Sequence, residues 1–544
     1  MKPGKSDKAD ILLYGGTLYD PPSVGRSKAG VAIRGNIILA VGSPQDLEPL
    51  RDAKTTTFNL PDSLILPGFH DFHIHLFVGS LTGESVDLHE ARSEEDCAAR
   101  AAAFAGKHPD EQWIFGFNWY HVFWDTPRLP TRKSLDRLIP HRPVFLFNAE
   151  YHGAWVNSEA LKVCGITRDT PDPPFGRIER DTAGEPTGFL YETAMGLVGS
   201  RALNIPAGRK EKLLKSFLQK AASLGVTSVH DMLPLPGFSC GDPEVYAAFE
   251  REHLLTLRVF LEADLASPLK EAEALRSRYR SPMLRFSGLK QFVDGVATTY
   301  TAFLVDPYSD RPGTRGGTLI PPDRLADWVR AADAGGFRLR LHTCGDAALR
   351  TALDCYEEAR RKNGRRDSRH TVEHIETIHP EEYRRLKDLG VIASIQPEHL
   401  AMTERFDQSP YLKRLGPERE RFLWPNRSLL NLGIPVCYGS DFPVVDLDPR
   451  KGLFRAVTRV HDDNNPPGGW TPDEKVSIQQ ALDCYTRAGA WGSFMEGSLG
   501  RLQPGFLADL TVLDKNLLPG NPEDILKYRV LLTISDGRIV YQNI

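Results

Sequence analysis

From about residue 67 to about residue 495, short apolar runs alternate with amphipathic helical segments, and this alternation restricts the fold more than any other feature. Runs of that length, spaced by helix-period segments, are buried most simply as parallel strands joined by crossover helices. Eight strands are predicted, near Leu64–His73, Val226–Met232, Leu257–Glu262, Gly288–Val293, Arg338–His342, His370–His374, Val391–Gln396 and Ile434–Ser440. Helices fit between them, among them Lys210–Leu224 (KEKLLKSFLQKAASL) and Asp323–Ala334. The expected fold class is therefore α/β, a (β/α)8 TIM barrel. The first gap is too long for one helix, so residues about 78–205 must hold an insertion after strand one, which includes WIFGFNWYHVFW and HRPVFLFNAEYHGAWVNSEAL.

Both chain ends have a different texture. Residues 9–66 and the stretches GSLGRLQPGFLADLTVLDKN and YRVLLTISDGRIVYQNI are β-rich runs punctuated by Gly, Asp and Asn. Chain termini often lie close together, so residues 1–66 and 496–544 are expected to form the two parts of one small β-sandwich around a barrel of residues 67–495. No internal repeat or heptad run is visible.

Composition removes several classes of function. Sixty-seven Lys and Arg against 71 Asp and Glu give a net charge of −4, with no basic block to attract nucleic acid. The stretch MKPGKSDKADILLYGG lacks the roughly 7–15-residue apolar core of a secretory signal. No run approaches the roughly 18 apolar residues of a membrane span. Seven scattered cysteines form neither a disulfide framework nor a C-x-x-C pair, which fits a reducing cytoplasm. The expected partner is a small-molecule substrate, and a homodimer is the default assembly for a soluble enzyme.

The sharpest local signal is Pro67-Gly68-Phe69-His70-Asp71-Phe72-His73-Ile74-His75. Residues two apart on a strand share a face, so His73 and His75 point together toward the barrel mouth. Two neutral imidazoles on one rigid strand suit a metal ion, although two polar residues at a strand end is an equally good reading of this motif alone. Other candidates fall at corresponding places. His342 ends strand five, His374 ends strand six, Asp441 follows strand eight, and Lys290 lies in strand four. Active sites in this fold gather at the C-terminal ends of the strands. Each has a plainer alternative: a strand-end His can bond a carbonyl, and Asp441 can cap a helix. Lys290 is harder to dismiss, because burying an unpaired ammonium is costly and burial lowers its pKa. The free amine can take up carbon dioxide as a carbamate, an anion able to bridge two metals.

H-x-H after strand one, Lys on strand four, His on five and six, and Asp on eight resemble the binuclear amidohydrolase superfamily. The phrases GVTSVHDM, GEPTGFLYETA, HTCGDAAL, VEHIE, SIQPEH and GSDFPV are similar to the amidohydrolase 3 family, which includes YtcJ-like proteins and N-substituted formamide deformylases. The likeness runs over nearly the whole chain. Two departures are Glu150-Tyr151-His152, where relatives commonly carry Asp-Gly before the His, and His70, at a position often held by a small apolar residue.

The resemblance implies that His73, His75 and Asp441 bind one metal and that carbamylated Lys290 bridges to a second held by His342 and His374. Zinc is the expected ion, with manganese or iron as alternatives. Asp441 would also act as general base, passing a proton from metal-bound hydroxide to the leaving nitrogen. His230 is expected to contact the substrate or the tetrahedral oxyanion, and His152 and His399 to reach the substrate. Trp119 and Trp124, in an aromatic run with Trp113, Phe115, Phe117, Tyr120 and Phe123, either line the pocket or form the insertion's own core. The first of these would favour an aromatic substituent on an N-formyl or N-acyl substrate. Arg427 could pair with a substrate carboxylate, although a surface salt bridge is the commoner fate, and Cys344 reads as a small buried residue. A one-metal deaminase of a ring C–N bond, in which Lys290 is dispensable, is the alternative enzyme. A barrel without metal, serving as a binding protein, is the reading from another class.

Overall fold

The computed structural model describes residues 8–20 and 26–544; residues 1–7 and 21–25, including the start of the stretch tested above as a signal, lie outside the described residues. Its central feature is an eight-stranded parallel sheet built from β1 (Phe69–Ile74), β2 (Val226–Met232), β3 (Arg258–Asp264), β4 (Leu284–Phe292), β5 (Leu339–Thr343), β6 (Thr371–His374), β7 (Ile392–Ile395) and β8 (Val436–Tyr438). Sequential strands are spatial neighbours throughout. All residues of β1 and β2 are buried, as expected when helices cover one face and the barrel interior the other. The helix Ala207–Ser223, for example, sets Leu214, Phe217, Leu218 and Ala221 into a core shared with Phe69, Val226 and Val229.

Closure occurs where β1 ends and the segment after β8 begins. The Asp441 N–H donates to the His73 carbonyl at 2.7 Å, and the His75 N–H donates to the Phe442 carbonyl at 2.7 Å. Asp71 reinforces this seam, its Oδ1 accepting from the backbone N–H of Ser440 at 2.9 Å and of His73 at 3.2 Å. Gly439 makes the close approach possible. A Cβ there would lie 2.6 Å from the His73 nitrogen and 2.9 Å from its Cβ, both rigid atoms.

The predicted first strand, Leu64–His73, is two strands in two sheets. Leu64–Pro67 pairs antiparallel with Leu510–Leu513, and the chain enters the barrel after Pro67-Gly68. Both chain ends contribute to one hydrogen-bonded sheet. That sheet branches at Ile11–Leu18, and residues of both ends, such as Val31 and Leu532, share one core. Ile11–Leu18 pairs first with Thr56–Asn59 and then, beyond Gly15-Gly16, with Leu64–Pro67. Gly15 there has φ +94°, a conformation that glycine accepts readily. The sheet is tied to the barrel by Arg258 of β3, whose guanidinium makes two 2.7 Å bonds to the Asp509 carboxylate in a fully buried pair.

Between β1 and β2 the chain forms a six-stranded sheet of Gly176–Arg180, Pro186–Glu192, Gly153–Val156, Val144–Asn148, Ile114–Trp119 and Val86–Asp87, in that spatial order. Among the described residues no helix is long and apolar enough to cross a membrane.

Because both neighbours of a Gly439 Cβ are fixed, Gly439→Ala is expected to destabilise the chain by about 1–3 kcal/mol, the usual range for overpacking. Chemical denaturation reads this directly, and an unchanged midpoint would refute the tight seam.

Candidate active site

The seam that closes the barrel also gathers its imidazoles. His75 Nδ1 is 2.8 Å from the Met232 carbonyl, and His73 Nδ1 is 2.6 Å from Glu373 Oε2. With their Nδ1 atoms occupied, both rings turn Nε2 toward Asp441 Oδ1, at 3.3 Å for His73 and 3.4 Å for His75. Two ligands about 2.0–2.1 Å from a tetrahedral metal are separated by about 3.3 Å, so this spacing suits a shared ion. The other carboxylate oxygen, Oδ2, faces a second pair, His399 Nε2 at 3.6 Å and His374 Nδ1 at 3.9 Å. Two groups of metal-ligand type therefore share Asp441: His73 and His75 on one side, His374 and His399 on the other. A third, His379, Glu381 and Glu382, lies elsewhere beside Arg350 and is not part of this site.

His374 Nδ1 is held by Gln396 Oε1 at 2.8 Å, and its ring centroid is 4.5 Å from that of His342. His342 Nε2 lies 3.3 Å from the Gly295 carbonyl, which leaves its Nδ1 free. Lys290 is completely buried, with no hydrogen-bond partner for its amine, and that burial lowers its pKa to about 8. Burial likewise holds His342 and His374 well below the ordinary histidine value and His73 at about 4. These rings are neutral at physiological pH, the form that ligates metals. Asp441 Oδ1 and His399 Nε2 are buried without hydrogen-bond partners too.

A row of buried charges lies beneath it. Glu373 accepts from Arg340 Nε at 2.6 Å while its other oxygen binds His73. Arg340 also donates to the Phe72 carbonyl at 2.7 Å and reaches Glu262 at 3.3 Å, and Glu262 accepts from Arg338 at 2.9 Å. Although burial opposes ionisation, Arg340 and His73 hold the Glu373 carboxyl well below the usual range. An ionised Glu373 can only accept, so the His73 tautomer is fixed with its proton on Nδ1 and its lone pair on Nε2.

Backbone strain collects here as well. Asn118, Tyr151, Glu192, His374, Ile375 and Asp441 all have φ between +46° and +74°. Left-handed conformations are uncommon outside glycine and tend to persist where function over-determines them.

Not all the expected residues meet at this cluster. His152 does come close, with its ring 5.0 Å from that of His342 and its Nδ1 2.7 Å from Glu192 Oε2. His230 does not. Its Nδ1 faces Glu262 at 3.0 Å, its Nε2 faces Ser493 Oγ at 2.8 Å, and its ring stacks against both His70 and Phe260. Both nitrogens are engaged in the barrel interior, so the strand-end argument put it one layer too high. Trp119 and Trp124 pack with Trp155 and Phe189 in the insertion's own core, and the Trp119 indole donates to the Leu146 carbonyl at 3.0 Å. The insertion aromatics that line a cleft of about 490 Å³ beside Phe442-Pro443-Val444 are instead Phe117, Tyr120 and Phe123. Arg427 is exposed, and Cys344 is buried with its Sγ 3.4 Å from His342 Nε2.

The residues that sequence reasoning missed are Glu373, Arg340 and Glu262. A signal was available: Arg338-Leu-Arg340-Leu-His342 places a polar side chain at every second position, marking a polar inward row.

Glu373→Gln is expected to weaken metal binding about 10–100-fold with the fold intact, as for other partners of ligating histidines. Equilibrium competition with a chelator measures this, and unchanged affinity would refute the orienting role. By contrast, His230→Gln is expected to cost about 1–3 kcal/mol of stability while metal content stays constant. Lost metal in a folded His230 variant would return that residue to the site.

The profile of the Amidohydrolase family matches residues 56–541. The protein LONG AFTER FAR-RED 3 of Arabidopsis thaliana is 31% identical, over 98% of this chain and 92% of its own. The N-substituted formamide deformylase of Arthrobacter pascens is 27% identical, over 98% of each chain. Among solved structures, an uncharacterized metal-dependent hydrolase of Pyrococcus furiosus aligns with a TM-score of 0.72 at 27% identity, covering 93% of this chain and 99% of its own.

Proposed function

The chain belongs to the amidohydrolase family, and from that premise we propose that it is a metal-dependent hydrolase of a carbon–nitrogen bond in a small amide, of the N-formyl or N-acyl type. The observation that carries this reading is that the Asp441 carboxylate stands between two pairs of buried histidines, His73 with His75 and His374 with His399, in the barrel whose β4 buries the Lys290 amine without a hydrogen-bond partner. Buried polar atoms without partners are costly, and a cation would satisfy the carboxylate and the imidazole lone pairs, and Lys290 once its amine is the anionic carbamate. His73, His75 and Asp441 would hold one ion. His342, His374 and Lys290, as its carbamate, would complete a second position. Zinc suits a set dominated by nitrogen donors.

When bound, such ions acidify water toward a pKa of about 7 and polarise the scissile carbonyl. The protein's own groups do the rest. Asp441 accepts the proton of the attacking water on its carboxylate and returns it to the departing nitrogen. His152, turned by Glu192 so that Nε2 is free, meets the acyl group from the insertion side. Phe117, Tyr120 and Phe123, in a cleft that also holds charged groups such as Glu398 and Lys451, offer ring surface to a substituent on nitrogen, and the name of the formamide deformylase relative supports an N-substituted substrate.

Elemental analysis of the purified chain beside Lys290→Ala tests the metal assignment. About two equivalents are expected, falling to one or fewer in the variant, with bicarbonate restoring neither metal nor turnover there. One equivalent, unchanged by the substitution, would favour the one-metal deaminase. In the same preparation Asp441→Asn is expected to lower turnover of N-formyl and N-acyl compounds at least about 100-fold, the lower end of what acid–base catalysis contributes. Retained turnover would remove the proton-transfer role.

A further inference from the structure

We propose that Arg414 and His121 form a binding site for a small monocarboxylate, in a cavity where the insertion meets the barrel loops. The proposal does not depend on the hydrolase reading above.

Seven arginines are buried among the described residues. Six of them, Arg258, Arg338, Arg340, Arg369, Arg455 and Arg459, bond a carboxylate or a backbone carbonyl. Arg414 is the exception. It is 9% exposed, its Nη1 is sealed from solvent without a hydrogen-bond partner, and its guanidinium forms no salt bridge among the described residues. The Tyr300 ring lies 4.7 Å from the guanidinium carbon, a cation–π contact that does not replace in-plane hydrogen bonds. Burying a cation in this way is costly, and an anion set against the guanidinium fork offsets the cost.

Arg414 lines a cavity of about 300 Å³ between residues 121–127 of the insertion and residues 407–414 after β7. That volume is at the lower end for small-molecule sites. His121 lines it too, and neither of its ring nitrogens is hydrogen-bonded, Nδ1 being sealed from solvent. Burial, and then the Arg414 charge, lower the His121 pKa to about 4, so the neutral ring carries one N–H that nothing in the protein accepts. The Ser409 hydroxyl, in the same lining, caps no helix nitrogen and is unbonded. A guanidinium fork with two neutral donors suits a carboxylate. The exposed Lys413 and the carboxylates of Asp310 and Asp407 also line the cavity. Two carboxylates oppose a dianion such as phosphate, whereas one guanidinium matches a monocarboxylate. None of the candidate metal ligands lines the cavity. The helix Pro410–Arg414 touches their surroundings through Tyr411, whose hydroxyl donates to Glu376 Oε2 at 2.8 Å, while Glu376 Oε1 lies 3.8 Å from His399 Nδ1. An occupant would therefore tie the insertion to the segment that supports His399.

The wild-type chain, Arg414→Met and His121→Phe, all zinc-loaded, are melted in chloride, benzoate and phosphate at one ionic strength. Benzoate is expected to raise the wild-type melting temperature above its value in chloride by at least about 1 °C, as mass action requires of a ligand for the native state alone. The shift is expected to vanish in Arg414→Met, which removes the charge and keeps an unbranched stem. It is expected to fall to about half or less in His121→Phe, which keeps a ring and removes the N–H. Phosphate is expected to give no shift that depends on Arg414. A benzoate shift equal in wild type and Arg414→Met places the anion elsewhere, for example at the metal ligands, and overturns the proposal. No benzoate shift in the wild type overturns it too. Should Arg414→Met fail to fold, a full shift in His121→Phe overturns the site. An Arg414-dependent phosphate shift as large as that of benzoate overturns the carboxylate assignment.

Discussion

Two backbone hydrogen bonds at the barrel seam, Asp441 N–H to His73 and His75 N–H to Phe442, connect the fold to its chemistry. A parallel barrel must join its first strand to its last, and here that junction falls at the three residues of the first metal-ligand group. The carboxylate and the two imidazoles are therefore positioned by main-chain geometry, which cannot relax without opening the barrel. Gly439 and Asp71 serve the same junction, one by leaving room and the other by bridging both strands. Side chains mounted on such a closure lose little further entropy when an ion arrives, since folding has already ordered them.

The row Arg338–Glu262–Arg340–Glu373–His73 is an expensive way to fill a barrel. Desolvating four charges is unfavourable, and well-packed apolar side chains of similar volume would often be as stable or more so. A core of valine and leucine, however, could not hold an imidazole proton on Nδ1. With the charges present, each carboxylate lies between donors and the last one orients a ligand ring. His230 closes the lower end of the same network through Glu262 and Ser493. That accounts for its resemblance, in sequence, to a strand-end catalytic histidine.

Much of this was readable beforehand, for physical reasons that differ from part to part. The eight barrel strands could be placed because the two periodicities alternate cleanly, and His73, His75, His342, His374 and Asp441 because strand ends in this fold point to one mouth. The boundary inside Leu64–His73 was missed, since an apolar run does not reveal that Pro67-Gly68 hands the chain from one sheet to another. Trp119 and Trp124 were ambiguous because aromatic residues fill pockets and cores equally well, and only the packing against Trp155 and Phe189 separates the two. The depth of His230 was hidden for a related reason. Period two specifies which face a side chain occupies and says nothing of which layer it reaches.

The insertion meets the candidate metal-ligand cluster along a narrow front. Its sheet has a core of its own around Trp119 and Trp155 on one side, and on the other Phe145 and Phe147 share a core with Leu213, Leu235 and Val444 from the barrel side. At its edge His152, oriented by Glu192, reaches the imidazoles, with Tyr151 and Glu192 in left-handed backbone. Changes at that edge alter what the site can recognise without disturbing the seam. The departure from Asp-Gly-His falls within these few residues, at the turn between two strands of the insertion. On the proposed function, substrate contacts and metal ligands would thus fall on different parts of the chain.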